Sequence, residues 1–396
     1  MTYHCMWVDE LGDDAPGQLV PYGRQSYYKP DPLPPSRELH LDDEFYETLS
    51  EATFWLGQLS GISRMVDFPA VLYTSLLRKE AMESAEIEGA DIDYNALYSF
   101  ETQAMDTDPT PGDGSSGTDT TKDIYEVLNY ERALKEGIET LDTGEGLSID
   151  SLHRLHEQLL TGVPDDRVDT ETIGEFKTTP NHIGDYLPPV PDAVDGAMEA
   201  LLTYYRTGGR YHPLIDIALF HYQFETIHPY GDGNGRLGRL LITLHLHENG
   251  YLKRPALYLS EYFNRNKQTY IDRMVQVRKN GDWEPWLSFF ITGVRHQAEE
   301  SVIRTVELTS LRRRYEAEYG DSAYTANQLA CWLFEQPYVT ARMVAEQFDV
   351  ERSTAYRAIE TLQDQGVLEE VTGQQRNREF RATEIFEILE RPPETY

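Results

Sequence analysis

Twelve residues near the middle of the chain, His228-Pro-Tyr-Gly-Asp-Gly-Asn-Gly-Arg-Leu-Gly-Arg239, have types and spacings suited to holding a phosphate and deprotonating a group beside it. Gly231, Gly233 and Gly235 leave a backbone with little side-chain obstruction, so its amides can turn toward one point and cradle an oxyanion. A helix following this loop adds its positive N-terminal end at the same place. Arg236 and Arg239, three apart on the first turn of that helix, share a face and can grip phosphate oxygens in bidentate fashion. Asp232 would repel a phosphate in this positive site unless a cation stood between them, which points to Mg²⁺. His228 can accept a proton near neutral pH, and Pro229 helps hold it just outside the glycine loop. A lone histidine after an apolar helix is usually structural and a glycine-rich stretch is usually a turn. Base, metal carboxylate, anion nest and paired arginines within one short run outweigh both readings.

Other phosphate and metal templates fit poorly. A P-loop needs Gly-x-x-x-x-Gly-Lys-Ser/Thr, and the nearest lookalike, Gly112 to Gly117, continues with Thr118. A calcium loop starting at Asp232 would place Thr243 where its bidentate glutamate belongs. His245 and His247 are two apart on a helix, point different ways and read as structural.

The elements around the loop are mostly helical. Residues 1 to about 40, rich in proline and tyrosine and ending in Lys29-Pro-Asp-Pro-Leu-Pro-Pro35, read as an extended strap. Helical spacing runs from Leu41 to Phe100, then resumes over 124–130, 151–160, 194–205, 214–227 and 240–246. The polar Gly/Pro/Ser run 106–118 reads as a mobile loop, and the proline-rich stretch between Gly174 and Pro191 as a loop or short hairpin. Near the C-terminus, 344–348 and 353–365 read as helices separated by a turn, with Ser353 as the N-cap of the second. Residues 367–372 and 378–382 then read as a hairpin, completing a winged helix-turn-helix.

Composition narrows the setting. Sixty-eight acidic residues against 35 basic ones give a formal net charge of −33, spread along the chain, with only eight lysines. Such a surface repels nucleic acid and anionic membranes at long range, and it suits a protein working at high salt. The start Met1-Thr-Tyr-His-Cys-Met-Trp-Val lacks a signal peptide's pattern, and no run approaches the ~20 apolar residues of a membrane span. Cys5 and Cys331, far apart, make neither a disulfide framework nor a metal knuckle. A soluble, intracellular, cytoplasmic protein is the expectation.

The loop resembles the signature of Fic proteins, His-x-Phe-x-Asp/Glu-Gly-Asn-Gly-Arg-x-x-Arg, with Tyr230 in place of the phenylalanine. That aromatic side chain anchors the loop in the core, so its extra hydroxyl must find a partner. Thr226-Ile-His-Pro, Leu259-Ser-Glu-Tyr262 with Asn266, and Leu33-Pro-Pro35 are also similar to family features. The resemblance implies a mainly α fold: an N-terminal helical region (1–121), a Fic-type helical core with a short β-hairpin flap (122–298), a linker helix (299–320) and a C-terminal winged helix (321–396). It implies transfer of AMP from ATP to a Ser, Thr or Tyr hydroxyl of a protein target or of the chain itself. His228 would be the general base, and Asp232 would hold Mg²⁺ on the α- and β-phosphates. Gly233, Asn234 and Gly235 would form the nest, Arg236 and Arg239 would hold the outer phosphates, and Asn266 with Gln223 would lie near the nucleoside. Asn181-His182-Ile183-Gly184 would be the flap that aligns the target segment by strand-like pairing.

Ser84-Ala-Glu-Ile-Glu88-Gly89 resembles the inhibitory motif of the same family, Ser/Thr-x-x-x-Glu-Gly/Asn. Glu88 could pair with Arg239 where the γ-phosphate needs that arginine, so ATP would bind with its α-phosphate misaligned. In this family a similar glutamate can instead position water for removal of AMP. Without the downstream loop, Ser84 and Glu88 would read as an ordinary polar helix face closed by Gly89.

Arg352, Arg357, Arg376, Arg378 and Arg381 gather on the second C-terminal helix and wing, as in DNA-binding winged helices. Residues 321–396 nevertheless carry seven more acidic than basic side chains, which favours a protein-docking or dimerisation role over phosphate contacts. A DNA-binding regulator whose nucleotide site acts as a sensor remains the contrasting class, but a sensor would not need the base. The target protein is not legible, and a homodimer is compatible with the sequence.

Overall fold

The polypeptide's first described element departs from the strap expected over residues 1–40. In the structure, a computed structural model that describes residues 11–65, 70–92, 95–100, 119–163, 172–208, 210–252, 257–319, 324–373 and 378–393, residues 17–30 form an antiparallel hairpin. Its strands are β1 (Gly17–Tyr22) and β2 (Gln25–Pro30), with Tyr22 opposite Gln25. Gly23 takes φ 62°, a left-handed conformation that closes the two-residue turn at no steric cost. Tyrosines 27 and 28 of β2 are buried, and the Tyr28 amide donates to Leu187 O at 2.8 Å. Tyr27 and Tyr28 are thus core residues of a paired strand, and Pro21 and Pro30 lie within the hairpin. The proposed loop over 106–118 lies outside the described residues.

Helices α1 (Asp43–Met65), α2 (Ala70–Glu88), α3 (Asp119–Asp142), α4 (Ile149–Leu160), α5 (Pro191–Thr207), α6 (Pro213–Ile227), α7 (Asn234–Glu248), α8 (Ser260–Arg265), α9 (Lys267–Asn280) and α10 (Trp283–Tyr319) build the main body. Residues 95–100 are also helical. Helix α4 starts at a reciprocal cap, where Ser148 Oγ accepts from the Ser151 amide and Ser151 Oγ from the Ser148 amide. Its Leu152, Leu155 and Leu159 recur at helical spacing and are buried.

Helix α6 is buried nearly all round, with Leu214, Phe220, Phe224 and Ile227 in the core, and α7 is buried likewise. Each fully buried apolar side chain of this size contributes roughly 1.5–3 kcal/mol. Two such helices, packed on each other, form a rigid frame that fixes both ends of the loop 228–233. Helix α7 begins at Asn234, ahead of the apolar run 240–246, so its first turn carries Arg236 as the arginine spacing implied. Helix α2 lies against α3 and α8.

Helix α10 runs unbroken over 37 residues, about 55 Å at 1.5 Å per residue, across the boundary expected at 298/299. It carries the chain into a C-terminal module of α11 (Thr325–Trp332), β3 (Tyr338–Thr340), α12 (Ala341–Gln347), α13 (Arg352–Asp364), β4 (Leu368–Glu370), β5 (Glu379–Ala382) and α14 (Thr383–Glu390). The three strands pair antiparallel in the order β3-β5-β4. The N-cap of α13 is Glu351, not Ser353, and it makes no side-chain cap bond. Residues 374–377, with Arg376, lie outside the described residues. Among the described residues, no helix is long and apolar enough to cross a membrane.

Candidate active site

The loop between α6 and α7 is braced from three sides. His228 ends α6 in a left-handed conformation, φ 50° and ψ 62°, while its amide still closes the helix on Phe224 O. Asn234, the first residue of α7, clasps the loop internally: its Oδ1 accepts from the Tyr230 amide and its Nδ2 donates to Tyr230 O, both at 2.9 Å. Gly233 caps α7 at φ 72°. Asp232 Oδ1 accepts from the Gly233 amide at 2.7 Å, and the Asp232 side chain remains nearly half exposed at the lip.

Below the loop, Tyr230 is fully buried and its hydroxyl finds the partner it needs in His153 Nδ1 at 3.1 Å. Its ring stacks on His156, with centroids 3.9 Å apart. His156 Nδ1 accepts the Gly174 amide, so the ring proton sits on Nε2 and is donated to Asp232 O at 3.0 Å. Burial pushes this imidazole down to about 4, which keeps it in the neutral form that the two bonds require. Neither histidine stood out in the sequence; Leu-His-Arg-Leu-His there reads only as a helix face.

A third brace is Lys177, buried, and also not singled out by the sequence. Its Nζ donates to His228 O at 2.8 Å and to Asn181 Oδ1 at 2.9 Å, and its amide donates to Pro229 O at 2.9 Å. Asn181 Nδ2 in turn donates to Tyr230 O. One side chain therefore ties the loop to the segment 181–184. Burial pushes the Lys177 amine down to about 7. The only signal for it would have been a lysine in a chain with eight of them, just before the proline-rich stretch.

The expected flap hairpin is smaller than a hairpin. Ile183 and Tyr186 form a single antiparallel bridge around Gly184, φ 60°, and no strands extend from it. Pro180, Pro188 and Pro189 remove the amides that a longer ladder would use. His182 and Ile183 are exposed at its tip, and Asn181 faces the loop.

Burial, and then the Lys177 ammonium, push the His228 imidazole down to about 3, below the near-neutral value anticipated. The ring is therefore neutral through the physiological range, and among the described residues its buried Nδ1 has no hydrogen-bond partner. A neutral imidazole with an uncommitted ring nitrogen can take a proton from a hydroxyl brought against it.

The cradle itself is occupied by a side chain. Glu88, at the end of α2, reaches in so that a Cβ on Gly235 would lie 2.1 Å from Glu88 Oε1 and 2.9 Å from Arg239 Nη1. Arg239 is fully buried; its Nη2 donates to Glu88 Oε1 and to Ser84 O, and its Nε to Ser84 Oγ, all at 2.8 Å. Burial raises the Glu88 carboxyl, but Arg239, with help from Arg236 and Lys267, outweighs it and holds the group below its ordinary value. Lys267 Nζ donates to Ile87 O, and Gly89 at φ 105° turns the chain away. Arg236 lies 3.1 Å from Glu126 Oε1 as an ion pair, yet among the described residues its Nε and Nη1 hydrogens meet no hydrogen-bond acceptor. Buried guanidinium donors beside a glycine cradle are a site made for an oxyanion, and a carboxylate oxygen now stands where one would sit.

Gln223 and Asn266 are less committed to this site. The Gln223 amide donates to Asp31 O and the Asn266 amide to Tyr262 O. His245 and His247 are structural: His245 stacks on Tyr205, and His247 bonds Leu252 O and Asp142. On the C-terminal module, Arg381 is paired with Glu369 and Glu390, so the basic cluster read from the sequence loses one member.

Taken together, two buried helices, a braced glycine loop and a neighbouring helix that lays Glu88 over Gly235 define a helical domain built around a candidate anion cradle. Residues 46–139 match the family model described as Fic/DOC family N-terminal, and residues 146–246 match that of the Fic/DOC family. These two stretches of the chain thus carry the N-terminal region and the domain of the Fic/DOC family. It is 25% identical over 261 residues to the "Protein adenylyltransferase Fic" of Aedes aegypti, a match spanning 63% of this chain and 46% of that protein. The chain thus spans about half the length of the curated relatives it matches. A Fic family protein from Desulfovibrio desulfuricans G20 shares the fold over 87% of this chain and 97% of its own, with TM-score 0.54 and 19% identity. A Fic domain containing signaling protein from Bacteroides thetaiotaomicron VPI-5482 does so over 66% and 97%, with TM-score 0.51 and 19% identity.

Proposed function

We propose that this chain is a protein adenylyltransferase held in check by its own Glu88. The carrying observation is the carboxylate lodged over Gly235 and bonded to Arg239: an anion site filled by a removable anion. The matched relatives named as adenylyltransferases support reading that anion as the triphosphate of ATP. In the reaction, His228 takes the proton of a Ser, Thr or Tyr hydroxyl as its oxygen attacks the α-phosphorus. The bond from that phosphorus to the α–β bridging oxygen breaks, and pyrophosphate leaves. Arg236 and Arg239 hold the outer phosphates, while the amides of Gly233 to Gly235 cradle them. Asp232, a single half-exposed carboxylate beside the cradle, fits Mg²⁺, which typically uses one or two carboxylates plus substrate phosphates. Bound there, Mg²⁺ would neutralise phosphate charge. The exposed Ile183 tip offers an edge on which an extended target segment can pair. Incubation with α-labelled ATP tests the reading: label is expected on the chain itself once Glu88 is removed, and none on a His228 variant.

Lys177 is expected to matter for positioning. Replacing it with methionine leaves His228 O and Asn181 Oδ1 without their donor, which frees both the base and the flap. Transfer should fall about 100-fold, as a misplacement near 1 Å can cost, while Lys177→Arg should retain part of it. Fluorescent-nucleotide affinity should stay unchanged in both. Loss of affinity with intact turnover would contradict the assignment.

The net charge of −33 supports work at high salt. Carboxylates at this density repel one another, and screening shortens their reach to about 3 Å at 1 M ionic strength. The melting temperature should therefore rise steadily from about 0.1 to 2 M KCl. A flat or falling curve would remove the halophilic reading.

A further inference from the structure

The inhibitory helix is held from two directions, and only one of them is the catalytic loop. On the opposite side, α2 meets the C-terminal module. Tyr98, in the helical segment 95–100 beside α2, stacks on Tyr338 of β3 with centroids 5.3 Å apart and planes 15° apart, and meets Phe386 of α14 edge-on at 5.8 Å. All three rings are buried. Arg78 of α2 sits 4.5 Å over the Tyr98 ring, and Met82 of α2 packs both on this aromatic cluster and on the catalytic core. Ser99 Oγ donates to Glu379 Oε1, whose other oxygen accepts from Tyr338 OH.

A second, charged connection runs in parallel. Lys79 of α2 pairs with Glu261 at 2.9 Å. Arg304 of α10, fully buried, lies 3.9 Å from the same Glu261, donates to Glu300, and holds the carbonyls of Leu389 and Arg391 at the end of the C-terminal module. Arg78, Lys79 and Met82 stand one to three turns before Glu88 on one continuous helix, so a shift of the module displaces the residue that fills the cradle.

We propose that the C-terminal module seats α2, and that Tyr338 and Phe386, with Tyr98, position Glu88 over Gly235. The regulatory meaning rests on Glu88 being the brake proposed above. In physical terms the module is the far jaw of a clamp whose near jaw is Arg239. Whatever engages the module strongly enough to turn Tyr338 from Tyr98 loosens Glu88 and frees the cradle. These are positioning residues; none touches the loop.

The experiment compares the full chain with Tyr338→Leu, Tyr98→Leu, Glu88→Gly and the double variant Tyr338→Leu/Glu88→Gly. Backbone hydrogen exchange over residues 84–89 is read first, because it needs no catalysis. An aromatic pair of this kind is worth enough for exchange to rise about three- to tenfold in either leucine variant, with α6 and α7 unchanged. Tyr98 lies outside the module, so its variant serves if Tyr338→Leu unfolds the module. Self-labelling should rise by a similar factor, and Tyr338→Leu should add nothing once Glu88 is already gone. Unchanged exchange in both single variants overturns the proposal, as does an equal rise in labelling on the Glu88→Gly background. If Glu88→Gly itself labels no faster than the parent, the brake reading fails, and the exchange data still decide whether the module seats the helix.

Discussion

The His228→Ala protein is expected to lose AMP transfer by about 10²–10⁴-fold, with its affinity for ATP nearly unchanged. In the proposed reaction the ring takes the hydroxyl proton, whereas the phosphates are held by Gly233 to Gly235 and the arginines. Among the described residues its Nδ1 has no hydrogen-bond partner, so losing that nitrogen strands no group there. One structural cost does follow. Residue 228 sits at φ 50°, where alanine is disfavoured by about 1–2 kcal/mol relative to residues that tolerate the left-handed region. His228→Asn controls for this, since asparagine accepts that conformation but is no base at neutral pH. Both variants are best made on the Glu88→Gly background, where the starting signal is high, and assayed with α-labelled ATP beside a calorimetric titration of the nucleotide. Equal loss in both variants with intact binding identifies the imidazole as the base. Transfer that survives in His228→Asn would show that the hydroxyl proton leaves by another route, and the mechanism above would fall.

The candidate site was more legible in the sequence than its scaffolding, for a physical reason. Phosphate binding concentrates its requirements in consecutive residues, because an anion nest is made of neighbouring amides and the helix that follows them. His228 to Arg239 could therefore be read as a unit. The helices were legible too: Leu152, Leu155 and Leu159 announce a buried face by spacing alone. What holds the loop in place comes from distant segments and leaves no local pattern. His153 and His156 brace Tyr230 and Asp232 through ring nitrogens that in the sequence belong to an ordinary amphipathic helix. Lys177 reaches His228 across 51 positions. The hairpin at 17–30 was hidden because the prolines around it suggested extension without pairing, whereas its pairing rests on one turn at Gly23. The segment 174–191 was legible as a loop or short hairpin, and its prolines hold it to one bridge between Ile183 and Tyr186. The α2–module contact was beyond reach, since Tyr98 and Tyr338 are 240 positions apart and neither lies in a recognisable motif.

Glu88→Gly is expected to raise transfer about 100-fold, the rate cost of a misplacement near 1 Å being relieved once the cradle is vacated. The structure explains why the variant should keep a working site. Arg239 loses its carboxylate partner, but its Nε and Nη2 still donate to Ser84 Oγ and Ser84 O, so the guanidinium stays where a phosphate needs it. Glu88 enters from the surface at the last position of α2, and Gly89 already turns the chain there, so the added glycine costs about 1 kcal/mol at most. Glu88→Gln separates charge from bulk: it keeps a side chain of the same size over Gly235 but no longer competes as an anion, and its rate should fall between parent and glycine variant. A pulse of labelled ATP followed by a chase with unlabelled ATP distinguishes faster transfer from slower removal. Faster appearance of label with an unchanged chase is the outcome a brake produces. A slower chase with unchanged appearance would make Glu88 a participant in removing AMP, and label accumulating no faster by either route would leave the carboxylate over Gly235 without a regulatory role.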